Sequence, residues 1–92
     1  MQLSILQLII KENFHGLKIR SSKTSEVEYF IYEEEKMIKG IEYYNHIVNI
    51  QSIGTIIKAQ NLQFDISSQK QYNQFIEFIH DKIRDSRNGD SW

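Results

Sequence analysis

Apolar positions recur most regularly toward the C-terminal end of the chain. Tyr72, Phe75, Ile76, Ile79 and Ile83 stand at i, i+3, i+4, i+7 and i+11, a spacing that lines one face of an α-helix. Ser68, followed three residues later by Gln71, reads as a capping box in which hydroxyl and amide reach for each other's backbone N–H. Lys82 and Arg84 fall where the negative end of the helix dipole favours cations. The pattern predicts a helix from about Ser68 to about Asp85, with residues 86–92 as a polar, flexible tail ending in Trp92.

Upstream, the period shortens to two. Leu62-Gln63-Phe64-Asp65-Ile66 alternates as a strand with one buried face does, and Leu17-Lys18-Ile19-Arg20 does the same. Val27 to Tyr32 is apolar on both faces, which suits a central or doubly covered strand. Glu33-Glu34-Glu35 reads as a charged hairpin connection to a strand over Lys36–Tyr44, and His46–Ile50 and Gly54–Ala59 read as two more around a break at Ser52–Gly54. Strict alternation sets Ile47 opposite Val48 and Ile50, leaving the buried face of that strand open. Leu3, Ile5, Leu6, Leu8, Ile9 and Ile10 fit either a strand or a short buried helix; a strand is expected, ended by a turn at Asn13–Gly16. The expected fold is therefore α+β: one domain over residues 1–85, an antiparallel sheet or partly open barrel of about five to seven strands with one C-terminal amphipathic helix. The alternative opens with a helix over residues 3–12 and places a smaller sheet between two helices. The expected core comprises Leu17, Ile19, Val27, Tyr29, Ile31, Ile38, Ile56, Leu62, Phe64 and Ile66 with the five helix residues named above.

Composition agrees with a sheet. Sixteen Ile, five Phe and five Tyr stand against a single Ala, Ala59, and β-branched and aromatic side chains suit a pleated surface; the same bias also marks AT-rich genomes. Ninety-two residues fit one core. The chain has no Cys, which excludes disulfides, a thiolate nucleophile, zinc knuckles and iron–sulfur clusters and fits a reducing, cytoplasmic location. No apolar run approaches the roughly 18–20 residues of a membrane-spanning helix. The run from Ile5 to Ile10 has neither a basic leader nor a small-residue cleavage site, so a secretory signal is not expected.

Catalytic chemistry finds little to work with. His15, His46 and His80 are scattered without metal-ligand spacing, no Ser occupies a nucleophile elbow, and the four Gly form no phosphate-cradling loop. No enzyme activity, metal or cofactor is expected. Net charge is −1, so no global field draws nucleic acid, but the charge is uneven. Residues 1–25 carry four bases and one acid, and residues 26–35 carry five Glu and no base. Such blocks are usually solvated faces. Read functionally, Lys11, Lys18, Arg20 and Lys23 are candidates for binding an anion, with Lys18 and Arg20 on one strand face. Tyr29, Tyr32, Tyr43 and Tyr44, with Glu33, Glu34 and Glu35, are candidates for a protein-binding surface, since Tyr combines an apolar body with a polar tip. Base stacking on these rings is disfavoured by their acidic neighbours Glu28, Glu33 and Glu42.

From Glu26 onward, a strand ending in acidic residues, the segment Lys36-Met37-Ile38-Lys39-Gly40, an Ile-rich strand pair and a closing amphipathic helix follow one another. This order resembles the pleckstrin-homology-like barrels over roughly residues 17–85. Lys11, Lys18 and Arg20 resemble the basic pattern that lipid-binding members carry on their first hairpin. The chain is short for a seven-stranded barrel, and Phe75 or Phe78 stands where the eukaryotic family's helix has Trp. The resemblance implies a binding domain rather than an enzyme. Two functions are thus in view. The first is a non-catalytic protein-interaction or regulatory domain, of the kind phage- or plasmid-encoded inhibitors and adaptors use, which pairs with a partner or with itself through a sheet edge. The second is recognition of a phospholipid head group or nucleic-acid phosphate by the basic N-terminal hairpin.

Overall fold

A computed structural model describes residues 3–88, without the side chains of Glu35, Lys36 and Asn88. The chain runs α1 (Leu3–Asn13), β1 (Leu17–Ser21), β2 (Glu28–Ile38), β3 (Ile41–Ile53), β4 (Ile56–Ala59), β5 (Leu62–Asp65) and α2 (Gln69–Asn88). The five strands form one antiparallel meander in the order β1-β2-β3-β4-β5, an open sheet in which β1 and β5 do not meet. The α+β architecture and C-terminal helix expected from the sequence are present. Both helices lie on the same face: α1 packs on β1, and α2 on β3 and β5.

The N-terminal segment is a helix, not the expected strand. Leu6, Ile9 and Ile10 are its buried residues, continued by buried Phe14 just past its end, and their spacing is helical. Ile5 and Leu8 point outward, 47% and 55% exposed, so the apolar run serves one stripe only. Asn13 closes the helix by donating Nδ2–H to the Ile9 carbonyl at 2.8 Å and to the Tyr72 hydroxyl at 2.9 Å, tying α1 to α2. Phe14 also meets the His80 ring, with centroids 4.7 Å apart.

Alternation directs Leu17, Ile19, Tyr29, Ile31, Val48, Ile50, Ile57, Ala59 and Phe64 to the covered face, where Phe75, Phe78 and Ile79 of α2 meet them. A bulge settles the Ile47 ambiguity. Ile31 pairs with Val48 and Tyr32 with His46, so Ile47 is the extra residue, and Ile47 and Val48 both enter the core. Val27, Ile56, Ile66, Tyr72, Ile76 and Ile83 are half-buried. Ile38 and Leu62, expected in the core, are 45% and 49% exposed. Leu62 starts an edge strand, and Ile38 has the correct facing but lies at the tip of a hairpin.

That hairpin corrects a second expectation. Glu33, Glu34 and Glu35 sit inside β2, and the turn is at Lys39-Gly40, with φ of +53° and +79°. A two-residue turn with both central residues left-handed matches the strand twist, and Gly40 adopts it without a Cβ penalty. β2 and β3 therefore continue as a two-stranded arm over residues 34–44, beyond the pairing of β2 with β1, which ends at Glu33, and that of β3 with β4, which begins at Gln51.

At the β5–α2 junction the capping box is modified. Gln71 N–H donates to Ser68 Oγ at 3.4 Å, but Gln71 Oε1 accepts from the Asp65 N–H at 2.8 Å rather than from Ser68. Asp65 Oδ1 in turn accepts from the Ser67 hydroxyl, the Ser67 N–H and the Thr55 hydroxyl at 2.6, 3.0 and 2.9 Å. These three donors, the Ser67 hydroxyl first, hold the Asp65 carboxyl below its ordinary range. A carboxyl with a depressed folded pKa adds stability that is complete above the unfolded value of about 3.9 and is lost as pH falls through the folded value. Asp65→Asn should accordingly lower the Tm at pH 7, with the gap to wild type closing as pH drops below about 3.9. An undiminished gap in acid would place the stabilising contact elsewhere.

α2 continues to Asn88, past the expected end near Asp85; Ser86 Oγ donates to Asn45 Oδ1 at 3.0 Å, and Arg87 pairs with Glu33 at 2.8 Å. The part of the expected tail over residues 89–92, including Trp92, lies outside the described residues. No helix among those described is long and apolar enough to cross a membrane.

Candidate functional site

With both helices on one face, the other face of the sheet is bare among the described residues. Strand register sets its residues in rows: Lys18 beside Tyr32 beside His46, Arg20 beside Phe30 beside Asn49, and Glu28 beside Gln51 beside Lys58. The Arg20 guanidinium carbon lies 5.6 Å from the Phe30 ring centroid and 5.7 Å from that of Tyr32, within cation–π range. The Tyr32 and Tyr44 rings meet edge to face, centroids 5.0 Å apart at 87°. His46 Nε2 and Asn49 Oδ1 are 2.6 Å apart. Together Arg20, Phe30, Tyr32, Tyr44, His46 and Asn49 line a depression of about 310 Å³.

Acidic side chains around this cluster are engaged. Lys18 Nζ meets Glu34 Oε2 at 2.5 Å, and that hydrogen bond raises the Lys18 pKa. Glu42 accepts from the Tyr44 hydroxyl, which raises the Tyr44 pKa by stabilising the protonated phenol. Glu28 accepts from Gln51 Nε2 at 3.4 Å. Glu33 belongs to the opposite face, where Arg87 holds it. Arg20 makes no ion pair among the described residues, so its five donors remain available above two rings that fix its position.

The four basic candidates come from three kinds of structure. Lys18 and Arg20 share the bare face of β1, as their spacing requires. Lys11 is on α1, not on a hairpin strand, and Lys23 is in the loop after β1. They nevertheless follow the outer edge of the sheet: Lys11 and Lys18 line one depression of about 270 Å³, and Arg20 and Lys23 another of about 410 Å³. The tyrosines divide. Tyr29 is 5% exposed and packs in the core, because β2 alternation turns it toward the helices, so it presents no surface to a partner. Tyr32 is half-buried on the bare face, and Tyr43 and Tyr44 are 46% and 51% exposed on the arm. Phe30, from the same aromatic cluster in the sequence, stands here with His46 and Asn49, which are not among the sequence-based candidates. Only the pairing register brings them beside Arg20.

The arm is the second unusual surface. Ile38, Ile41 and Tyr43 lie on the side that continues the helix-covered face, and Met37 and Tyr44 on the bare side, as the register of residues 36–44 dictates. Met37, Ile38 and Ile41 are 64%, 45% and 58% exposed. Among the described residues no His, Cys, Asp or Glu cluster could hold a metal ion. Comparison with known proteins finds no family model, no curated protein and no solved structure that matches this chain.

Proposed function

We propose that this is a non-catalytic protein-interaction or regulatory domain whose partner docks on the β2–β3 arm. The observation that supports this reading most is the exposed apolar cluster of Met37, Ile38, Ile41, Tyr43 and Tyr44 on an element that, among the described residues, has no strand along either outer edge. A two-stranded ribbon is marginally stable by itself in water, and exposed strand edges are ordinarily blunted because they recruit other chains. An arm that exposes apolar side chains on both sides gains most when another protein covers it, by strand addition along an edge and by packing on Ile38, Ile41 and Tyr43. The reading rests on the arm and not on the resemblance to pleckstrin-homology-like barrels.

The test uses Ile38→Lys/Ile41→Lys, whose side chains already meet solvent, so the melting temperature should stay within a few degrees of wild type. Wild-type and variant proteins are offered to lysate of the source cells, and captured proteins are quantified side by side. Capture of a partner by wild type and its loss with the variant is the expected result. Identical profiles would reject the arm as the docking element. Light scattering of both proteins across a concentration series shows whether the partner is a second copy of the chain.

A further inference from the structure

The bare sheet face combines two features that, Tyr44 apart, lie outside the arm. A line of cations follows the β1 edge, from Lys11 through Lys18 and Arg20 to Lys23. Beside it Phe30, Tyr32 and Tyr44 stand on β2 and β3 around a depression of about 310 Å³. A neighbouring depression of about 320 Å³ shares Phe30 and Asn49 with it and ends at Gln51 and Lys58. From these we infer that the open face binds single-stranded nucleic acid, with the phosphate backbone along the β1 edge and bases stacked on Phe30, Tyr32 and Tyr44.

The chemistry of each part fits that ligand. Stacking platforms flanked by a cationic track are how sheets hold unpaired bases, because every base has a π-face and every linkage a phosphate. Arg20 is braced by two rings and makes no ion pair among the described residues, so its guanidinium can take a phosphate in two-pronged fashion. Asn49 lines both depressions and Gln51 the second, which supplies amides to hydrogen-bond base edges. Of the acids that disfavour stacking in the sequence, Glu33 faces the far side of the sheet, where Arg87 holds it, Glu42 accepts from the Tyr44 hydroxyl and Glu28 from Gln51. The Lys18–Glu34 pair is exposed and held weakly enough for Lys18 to exchange partners. An acidic peptide could use the cations but would leave the three rings idle. A duplex buries its base faces and would do likewise.

Fluorescence anisotropy with labelled 12-nucleotide DNA and RNA of mixed sequence, a 12-base-pair duplex and a poly-glutamate peptide tests this between low and moderate salt. Wild type should prefer either single strand to duplex and peptide. Three or four phosphate contacts predict a slope of log K against log salt of about −2 to −3. Lys11→Gln/Arg20→Gln/Lys23→Gln should flatten that slope by about 2. Tyr44→Ala, at an exposed position, should weaken binding by about ten- to hundredfold with the slope unchanged. The proposal is overturned by absence of binding at low salt, by equal binding of duplex or peptide, or by a Tyr44→Ala variant that binds as wild type does. Tyr44 belongs to both surfaces, so Ile38→Lys/Ile41→Lys is run beside these variants: it leaves every cation and ring of the open face in place and should bind single strands as wild type does even if it loses the arm's partner.

Discussion

Ile79→Asp is expected to unfold the domain. Ile79 is fully buried, on the α2 face that meets the sheet, in a cluster with Phe75, Phe64 and Ile57. The substitution removes a branched apolar side chain worth about 1.5–3 kcal/mol of burial. It also leaves a carboxyl with no donor prepared for it, and burying an unpartnered polar group adds a penalty of similar or greater size. A carboxylate in the core would protonate rather than stay charged, which limits the cost without abolishing it. Domains of this size have total stabilities of about 5–15 kcal/mol, so the combined loss consumes most or all of it. Far-UV circular dichroism at pH 7 should show loss of the native spectrum and of the cooperative urea transition. Ile79→Val, which keeps the site apolar, should cost only about 0.5–1.5 kcal/mol and fold. A cooperatively folded Ile79→Asp protein would show that α2 presents a different face to the sheet.

That face was readable because α2 is long, amphipathic and bounded by its own capping residues. Other parts were less so, for reasons particular to each. Glu33-Glu34-Glu35 resembles a loop by charge, yet two of these acids are satisfied from outside β2, Glu33 by Arg87 and Glu34 by Lys18. A charge run within a strand is thus paid for by residues far off in sequence. The true turn, Lys39-Gly40, carries a weaker signal than Asn-Gly, because Lys seldom adopts positive φ. Ile47 beside Val48 breaks alternation only because a bulge inserts a residue, and bulges leave little trace in sequence. At the candidate site, Lys18 and Arg20 could be assigned to one face from spacing alone. Their neighbours could not, since Arg20 meets Phe30 and Tyr32 only through the β1–β2 register, which depends on the loop over residues 22–27.

Leu6→Ala and Leu8→Ala should differ sharply, and the difference discriminates between the two readings of the N-terminal segment. In a strand, residues two apart share a face, so Leu6 and Leu8 would be buried or exposed together. In α1 they are about 200° apart around the axis, at 3.6 residues per turn. Leu6 is accordingly 1% exposed among Ile10, Leu17 and Ile19, and Leu8 is 55% exposed. Truncating Leu6 removes buried methyl groups and leaves a cavity, at a cost of about 2–5 kcal/mol, depending on how far α1 can settle onto β1. Truncating Leu8 removes little buried area and exchanges Leu for the better helix former Ala, so stability should stay within about 0.5 kcal/mol of wild type. Urea denaturation of both variants under one set of conditions measures this directly. Equal, large losses would return the segment to a strand. Equal, negligible losses would mean that α1 contributes nothing to the core, and the sheet would then have a second bare region over β1.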